Sequence, residues 1–212
     1  MSGDWLAPIE RRFHAERAHV SDSVVDSLVA RIRGGSLRQG DQINTVELAR
    51  EHGVARASVR EAVFRLERVG VVVAEAGRYT RIADVTSDLV SWVSEAAAHD
   101  LAFAAKRGAP DLDATARARA RELAESISDC MGWSEAVSGP GLELGQLFAD
   151  AHPNALHRTR VRELAPAIAY FLGAAKVRPH IDLDDVAGRL VEAINAGDGP
   201  AAAGAMRRLY TP

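Results

Sequence analysis

Cysteine is nearly missing from this chain: Cys130 is the only one in 212 residues. One thiol excludes an internal disulfide framework and a thiolate zinc cluster within a single chain, and it favours a reducing compartment, so a cytoplasmic location is expected. Aromatic residues are scarce as well, at 5%, and alanine is abundant, which points toward helix-rich packing. No apolar run approaches the roughly 20 residues of a membrane span. The first residues lead into Glu10, Arg11, Arg12 and His14 without an apolar export core, so no membrane partner is expected. Charge of one sign is not in large excess either; the net value of -3 excludes a generic polycation. Catalytic constellations are lacking too. There is no glycine-rich phosphate loop, no Ser/His/Asp spacing and no His-Glu-x-x-His, so an enzyme is not expected.

What charge there is lies unevenly. Residues 1–85 carry 13 Lys/Arg against 12 Asp/Glu, whereas residues 86–212 carry 13 against 17. Between residues 50 and 81 the imbalance sharpens: Arg50, Arg56, Arg60, Arg65, Arg68, Arg78 and Arg81 face only Glu51, Glu61, Glu67 and Glu75. A local basic patch on a weakly acidic chain fits a DNA reader joined to a body that does not touch DNA.

Periodicity predicts a helix over 21–33, with Ser21 as its cap, an apolar stripe of Val24, Val25, Leu28 and Ile32, and Gly34-Gly35 as its stop. Asn44 followed by Glu47 resembles a capping box and opens a short helix ending near His52, with Gly53 as the turn. From Arg56 to Val69, the residues Val59, Ala62, Val63 and Leu66 recur at helical spacing, and Gly70 ends that third helix. Val71–Val73 and Tyr79–Ile82 read as a hairpin around Gly77, which after three helices is the wing of a winged helix. The fold expected is mainly α: a winged helix-turn-helix over 1–85 and an all-helical bundle over 86–212.

Taking Val59 as the buried centre of the third helix, Ala57, Arg60, Glu61, Phe64 and Arg68 point outward, with Arg56 and Ser58 near the helix start. Arginine in that position reaches guanine edges in the major groove. Candidate DNA contacts are therefore Arg56, Ser58 and Arg60, joined by Thr45 at the second helix and by Gly77, Arg78 and Arg81 of the wing. The plainer alternative, a solvated arginine face, stays open on this helix alone.

The stretch Gly40-Asp41-Gln42-Ile43, Glu47-Leu48-Ala49 and His52-Gly53-Val54-Ala55-Arg56-Ala57-Ser58-Val59-Arg60-Glu61-Ala62-Val63, with Leu66 and Gly70, resembles the DNA-binding domain of the GntR family. The resemblance implies that Arg56 and Arg60 contact operator DNA, that Glu61 helps orient an arginine, and that the protein works as a homodimer on a near-palindrome. Three positions depart from the family pattern: Ala55 replaces a capping serine, Val46 a phosphate-contacting arginine, and Tyr79 the second glycine of the wing. Phe64, normally polar, is expected to pack against the sensor domain or a partner subunit.

Helices are also expected from Leu89 to Phe103, after Asp111 as cap, over about 142–151, after Pro153 with a bend at Pro166, over 182–196 and from Gly199-Pro200 onward, while Ser138–Gly141 reads as a loop. Leu147–Asn154 and Glu192–Asp198 with Met206 resemble the sensor bundle of the FadR-type branch. That branch implies a divalent metal held by one aspartate and three histidines, but the corresponding positions here are Gly141, Gly145, Ala187 and Leu209. No metal and no other cofactor is therefore expected. Leu89, Trp92, Val93, Ala96 and Phe103 form a stripe expected to face the bundle interior, and it carries His99 and Asp100 with it. A small-molecule effector, of unknown identity, would be lined by Trp92, His99, Asp100, Phe103, His157, Arg160 and Tyr170. Arg117, Arg119 and Arg121 are read as a solvated face. Two rival readings stay open: control by a protein partner without an effector, and a helical-bundle carrier or enzyme that uses its winged helix as an interaction module.

Overall fold

In the computed structural model, which describes residues 17–75, 78–177 and 179–211, the first helix, α1, runs over Arg17–Arg33. Val24, Val25 and Leu28 are buried as the periodicity requires. Ser21 is not its cap. The helix is already under way at that point, and the buried Ser21 hydroxyl instead accepts from Arg65 of the third helix at 3.3 Å, beside a 2.5 Å pair between Arg65 and Asp22. A short helix α2, Thr45–Glu51, begins at Asn44, whose side-chain oxygen accepts from the backbone N–H groups of Val46 and Glu47. Gly53 makes the turn with a φ of +63°, a conformation that costs a side-chain-bearing residue about 1 kcal/mol or more.

Helix α3, Arg56–Arg68, buries Val59, Ala62, Val63 and Leu66 against α1 and α2. Strands β1 (Val72–Glu75) and β2 (Tyr79–Ile82) pair antiparallel with Val72 opposite Ile82. The chain just before α2 joins this hairpin: Gln42 bridges to Arg81, Ile43 N–H donates to Thr80 at 2.7 Å, and Ile82 N–H donates to Asp41 at 2.9 Å. Gly77 lies outside the described residues.

Contacts divide the chain into two units, Met1–Asp84 and Val85–Pro212. The second unit contains α4 (Ser87–Gly108), α5 (Ala114–Ser126), α6 (Trp133–Ser138), α7 (Pro140–Ala151), α8 (Ala155–Ala167), a π-helical turn at Ile168–Leu172, α9 (Leu183–Ala196) and α10 (Gly199–Tyr210). No strand occurs among its described residues. The fold is thus mainly α, a winged helix-turn-helix followed by helices, as the patterning predicts.

Four local expectations are corrected. Asp111 sits in the turn after α4, where its N–H closes onto Gly108, and Asp113 caps α5 by accepting from Ala116 at 2.8 Å. Ser138–Gly141 is not a loop: α6 ends at Ser138, Gly139 turns, and α7 starts at once because Pro140 suits the first helical position. Arg117 is not merely solvated; its guanidinium bonds the carbonyls of Ile194, at the end of α9, and Leu112.

The fourth correction is the largest. Of the α4 stripe expected inside, Val93 is buried, but Trp92 is 63% and Phe103 40% exposed, and the buried face is built instead on Ala97, Leu101, Ala104 and Ala105. Small side chains let neighbouring backbones close in. A Cβ on Gly108 would lie 2.0 Å from the Phe148 carbonyl oxygen of α7, and one on Gly199 of α10 would lie 2.1 Å from the Lys106 carbonyl oxygen. Contact at that range needs glycine at the crossing points and small side chains around them, so the aromatics are left outside.

Candidate nucleic-acid interface

The buried Val59 face fixes the opposite face of α3 toward solvent, and Arg56 and Arg60 are both exposed there. Among the described residues neither has an ion-pair partner. Glu61 is exposed and bonds neither arginine. No side chain caps α3, since Ala55 has no acceptor to offer. The first amide N–H groups of the helix therefore stay available to an incoming phosphate, which the helix dipole also favours. Ser58 is half-buried in the same first turn.

Thr45, the first residue of α2, and Arg78 line one cleft between α2 and the wing, together with Asn44, Glu75, Tyr79 and Thr80. The wing cations are already engaged: Arg78 pairs with Glu75 at 2.7 Å and Arg81 with Asp84 at 3.1 Å. Arg81 also lies over the ring of Tyr79, 5.7 Å from its centroid, so the residue replacing the wing glycine supports an arginine. Sequence spacing placed these arginines on the wing, but not their carboxylate partners, Glu75 at the end of β1 and Asp84 just after β2. Val46 is half exposed and Phe64 59% exposed, both apolar on the solvent side of this unit.

In the second unit, five of the seven residues expected around an effector come together where α4 meets α8. Asp100 is buried and accepts from Arg160 at 2.7 Å through one oxygen, while the other lies 3.1 Å from His99 Nδ1. Phe103 and His157 meet edge to face with centroids 4.7 Å apart. Burial holds the His157 imidazole below its ordinary pKa, against the pull of Asp100, and its Nε2 has no hydrogen-bond partner among the described residues. Trp92 lies three helical turns from Phe103 along α4, and Tyr170 is buried in the π-helical turn beside Phe171. That turn follows Pro166, where the sequence predicted a bend. His152, from the Leu147–Asn154 stretch, completes the neighbourhood by accepting from Asn154 N–H at 2.9 Å beside Arg107.

The metal implied by the FadR-type resemblance does not fit. Gly141, Gly145, Ala187 and Leu209 are all buried and carry no donor atom. The space over Gly141 belongs to Leu209 and the Tyr210 hydroxyl, and that over Gly145 to Leu101, each 2.8–3.2 Å from where a Cβ would stand. Among the described residues no three His, Cys, Asp or Glu side chains are grouped to hold a cation.

Comparison with known proteins bears on the first unit. Residues 20–82 match the family described as bacterial regulatory proteins, gntR family. No curated protein matches the chain. Among solved structures the chain is similar to E. coli McbR/YncC, at 16% identity and a TM-score of 0.66, covering 90% of this chain and 93% of that one. It is also similar to a structure described as a GntR transcriptional regulator from Rhodococcus sp. RHA1, at 17% identity and a TM-score of 0.63, covering 87% and 90%. Likeness at such identity is one of fold. Residues 20–82, from within α1 through β2, form a winged helix-turn-helix that matches the gntR family of bacterial regulatory proteins.

Proposed function

We propose that the protein is a homodimeric transcriptional regulator of the FadR-type branch that reads a near-palindromic operator. Residues 1–85 bind DNA, and residues 86–212 associate the copies and receive a signal. The observation that carries this reading is the uncapped, exposed start of α3, with Arg56 and Arg60 free of ion pairs among the described residues, beside a wing that shares a cleft with Thr45. In the proposed mode α3 enters the major groove, Arg60 reads a base edge, and Arg56 with Ser58 and the first helix amides hold a phosphate. Thr45, Gly77, Arg78 and Arg81 approach the flanking backbone, where a phosphate would compete with Glu75 and Asp84 for the wing arginines. A regulator rather than an enzyme is the reading the residues support, because the polar cluster of the second unit uses its one buried carboxylate to hold an arginine. An effector, on this reading, meets His99, Phe103, His157 and Arg160 at the junction of α4 and α8, without help from a metal.

Fluorescence anisotropy with DNA from upstream of the protein's own coding region tests the reading. Arg60→Ala is expected to weaken specific binding by about 1–3 kcal/mol with fold intact, as loss of one bidentate base contact does. Absence of salt-sensitive binding by the natural chain would overturn the regulator reading. Unchanged affinity of the variant would overturn α3 as the reading helix.

A further inference from the structure

We propose that Phe64 reads sequence directly: its ring packs against the 5-methyl group of a thymine in the major groove, one or two base pairs from the base that Arg60 reads. This rests on the DNA-binding mode proposed above and adds to it a base that the helix selects. Phe64 is 59% exposed, on a helix whose other side is filled by Val59, Ala62, Val63 and Leu66. At 3.6 residues per turn it stands about 20° round the helix from Ala57, seven positions back, and about 40° from Arg60, four positions back. The fully buried Leu66 lies about 160° away, so Phe64 marks the line of α3 farthest from the core. Ala57 and Phe64 are the two exposed apolar side chains of this helix, and they share that line.

The neighbours of the ring decide what covers it. Arg60 and Glu61 precede Phe64 by about one turn and Arg68 follows it by one, all three exposed. A protein surface closing over the ring would take these charges out of water with it, at a cost that only well-matched partners offset. The floor of the major groove offers both kinds of contact at once, acceptors for arginine on guanine and an apolar methyl on thymine. The small Ala57 lets the start of the helix come close to that floor, and the ring then reaches it too. Glu61 and Glu67, exposed on either side of the ring, repel phosphate, so the ring meets base edges rather than the DNA backbone. Phe64 lies about 6 Å beyond Arg60 along the helix. Successive base pairs rise by about 3.4 Å, which sets the methyl one or two pairs from the base that Arg60 reads.

Fluorescence anisotropy of the full chain tests the contact, on the footprinted stretch of the duplex from upstream of its own coding region and on copies in which deoxyuridine replaces one thymine at a time. That exchange removes the methyl group and leaves every base-pair hydrogen bond in place. At one thymine in each half-site the natural chain is expected to lose about fourfold in affinity, the worth of one buried methyl group. Phe64→Ala is expected to bind the natural duplex about fourfold or more weakly, with its circular dichroism unchanged, and to bind the thymine and deoxyuridine copies equally. Equal binding of every copy by the natural chain, or discrimination that survives in Phe64→Ala, would overturn the proposal. The measurements on the natural chain alone separate the two readings. Salt-sensitive binding that ignores the methyl groups leaves the regulator standing and removes only this contact, whereas a chain that binds no duplex removes both.

Discussion

Gly108→Ala is expected to destabilise the second unit by about 3 kcal/mol or more, at the upper end of what overpacking a filled site costs. The added methyl would stand 2.0 Å from the Phe148 carbonyl oxygen, 2.6 Å from its carbonyl carbon and 2.8 Å from its Cα. All three are backbone atoms of α7, so no side-chain rotation relieves the overlap. The end of α4 has to lift from α7, and it lies next to the other close approach, Gly199 against Lys106. Urea denaturation gives the value. Gly188→Ala and Gly204→Ala supply the contrast, because both glycines sit in helices with open space where a Cβ would go. There alanine is expected to add about 0.5–1 kcal/mol of stability through helix propensity. If Gly108→Ala behaves like those two, the tight crossing of α4 on α7 is wrong.

Tyr210→Ala is expected to cost about 3–5 kcal/mol, the range for emptying a large aromatic site. Tyr210 is fully buried at the end of α10, where its hydroxyl donates to the Val137 carbonyl at 2.7 Å and its own carbonyl accepts from Ser94 at 2.5 Å. Next to it the Leu209 carbonyl accepts from the Trp133 indole at 2.7 Å. Tyr210→Phe keeps the ring but orphans the Val137 carbonyl, and about 1–3 kcal/mol is expected from that alone. Burial also pushes the Tyr210 hydroxyl well above its ordinary value of 10. Below pH 10 the phenol is neutral in folded and unfolded chains alike, and its contribution is complete. Above pH 10 the unfolded chain loses the proton first, so stability falls as pH rises, by up to about 1.4 kcal/mol per pH unit. Denaturation midpoints of the natural chain should therefore fall more steeply than those of Tyr210→Phe above pH 10. Parallel slopes would show that the hydroxyl is not held as described.

The winged helix was legible because its signals are local and mutually consistent. Val59, Ala62, Val63 and Leu66 leave one choice of buried face, Asn44 caps where a short polar residue precedes an apolar run, and Gly53 and Gly70 take positive φ where a turn is needed. Helix α4 was not, for a physical reason. A helix rich in alanine carries apolar atoms all round, so periodicity offers two faces, and the closeness of α7 and α10 decides for the smaller one. Ser21 and Asp111 were misread because serine and aspartate suit several positions near a helix start, and only the chain path tells which one meets a free amide. The meeting of Asp100 with Arg160 spans 60 residues and depends on how α8 lies along α4. Its members were named from the sequence, but the carboxylate–guanidinium bond that organises them was not. His152 lies within the Leu147–Asn154 stretch, but nothing in its spacing signals that it meets Arg107, 45 residues away.

The backbone bonds from Asp41, Gln42 and Ile43 into β2 make the wing and the start of α2 a single piece of main chain. A hairpin on a loose tether would have to be immobilised anew on each landing, and that ordering would weaken every complex it formed. In the proposed DNA-binding mode the gap between α2 and the wing would act like the fixed jaws of a caliper, with the duplex as the softer party. The helix that slips in most readily is the one whose local groove width already suits the jaws. Bases that no side chain touches, in the stretch under the wing, should then influence binding through their stiffness.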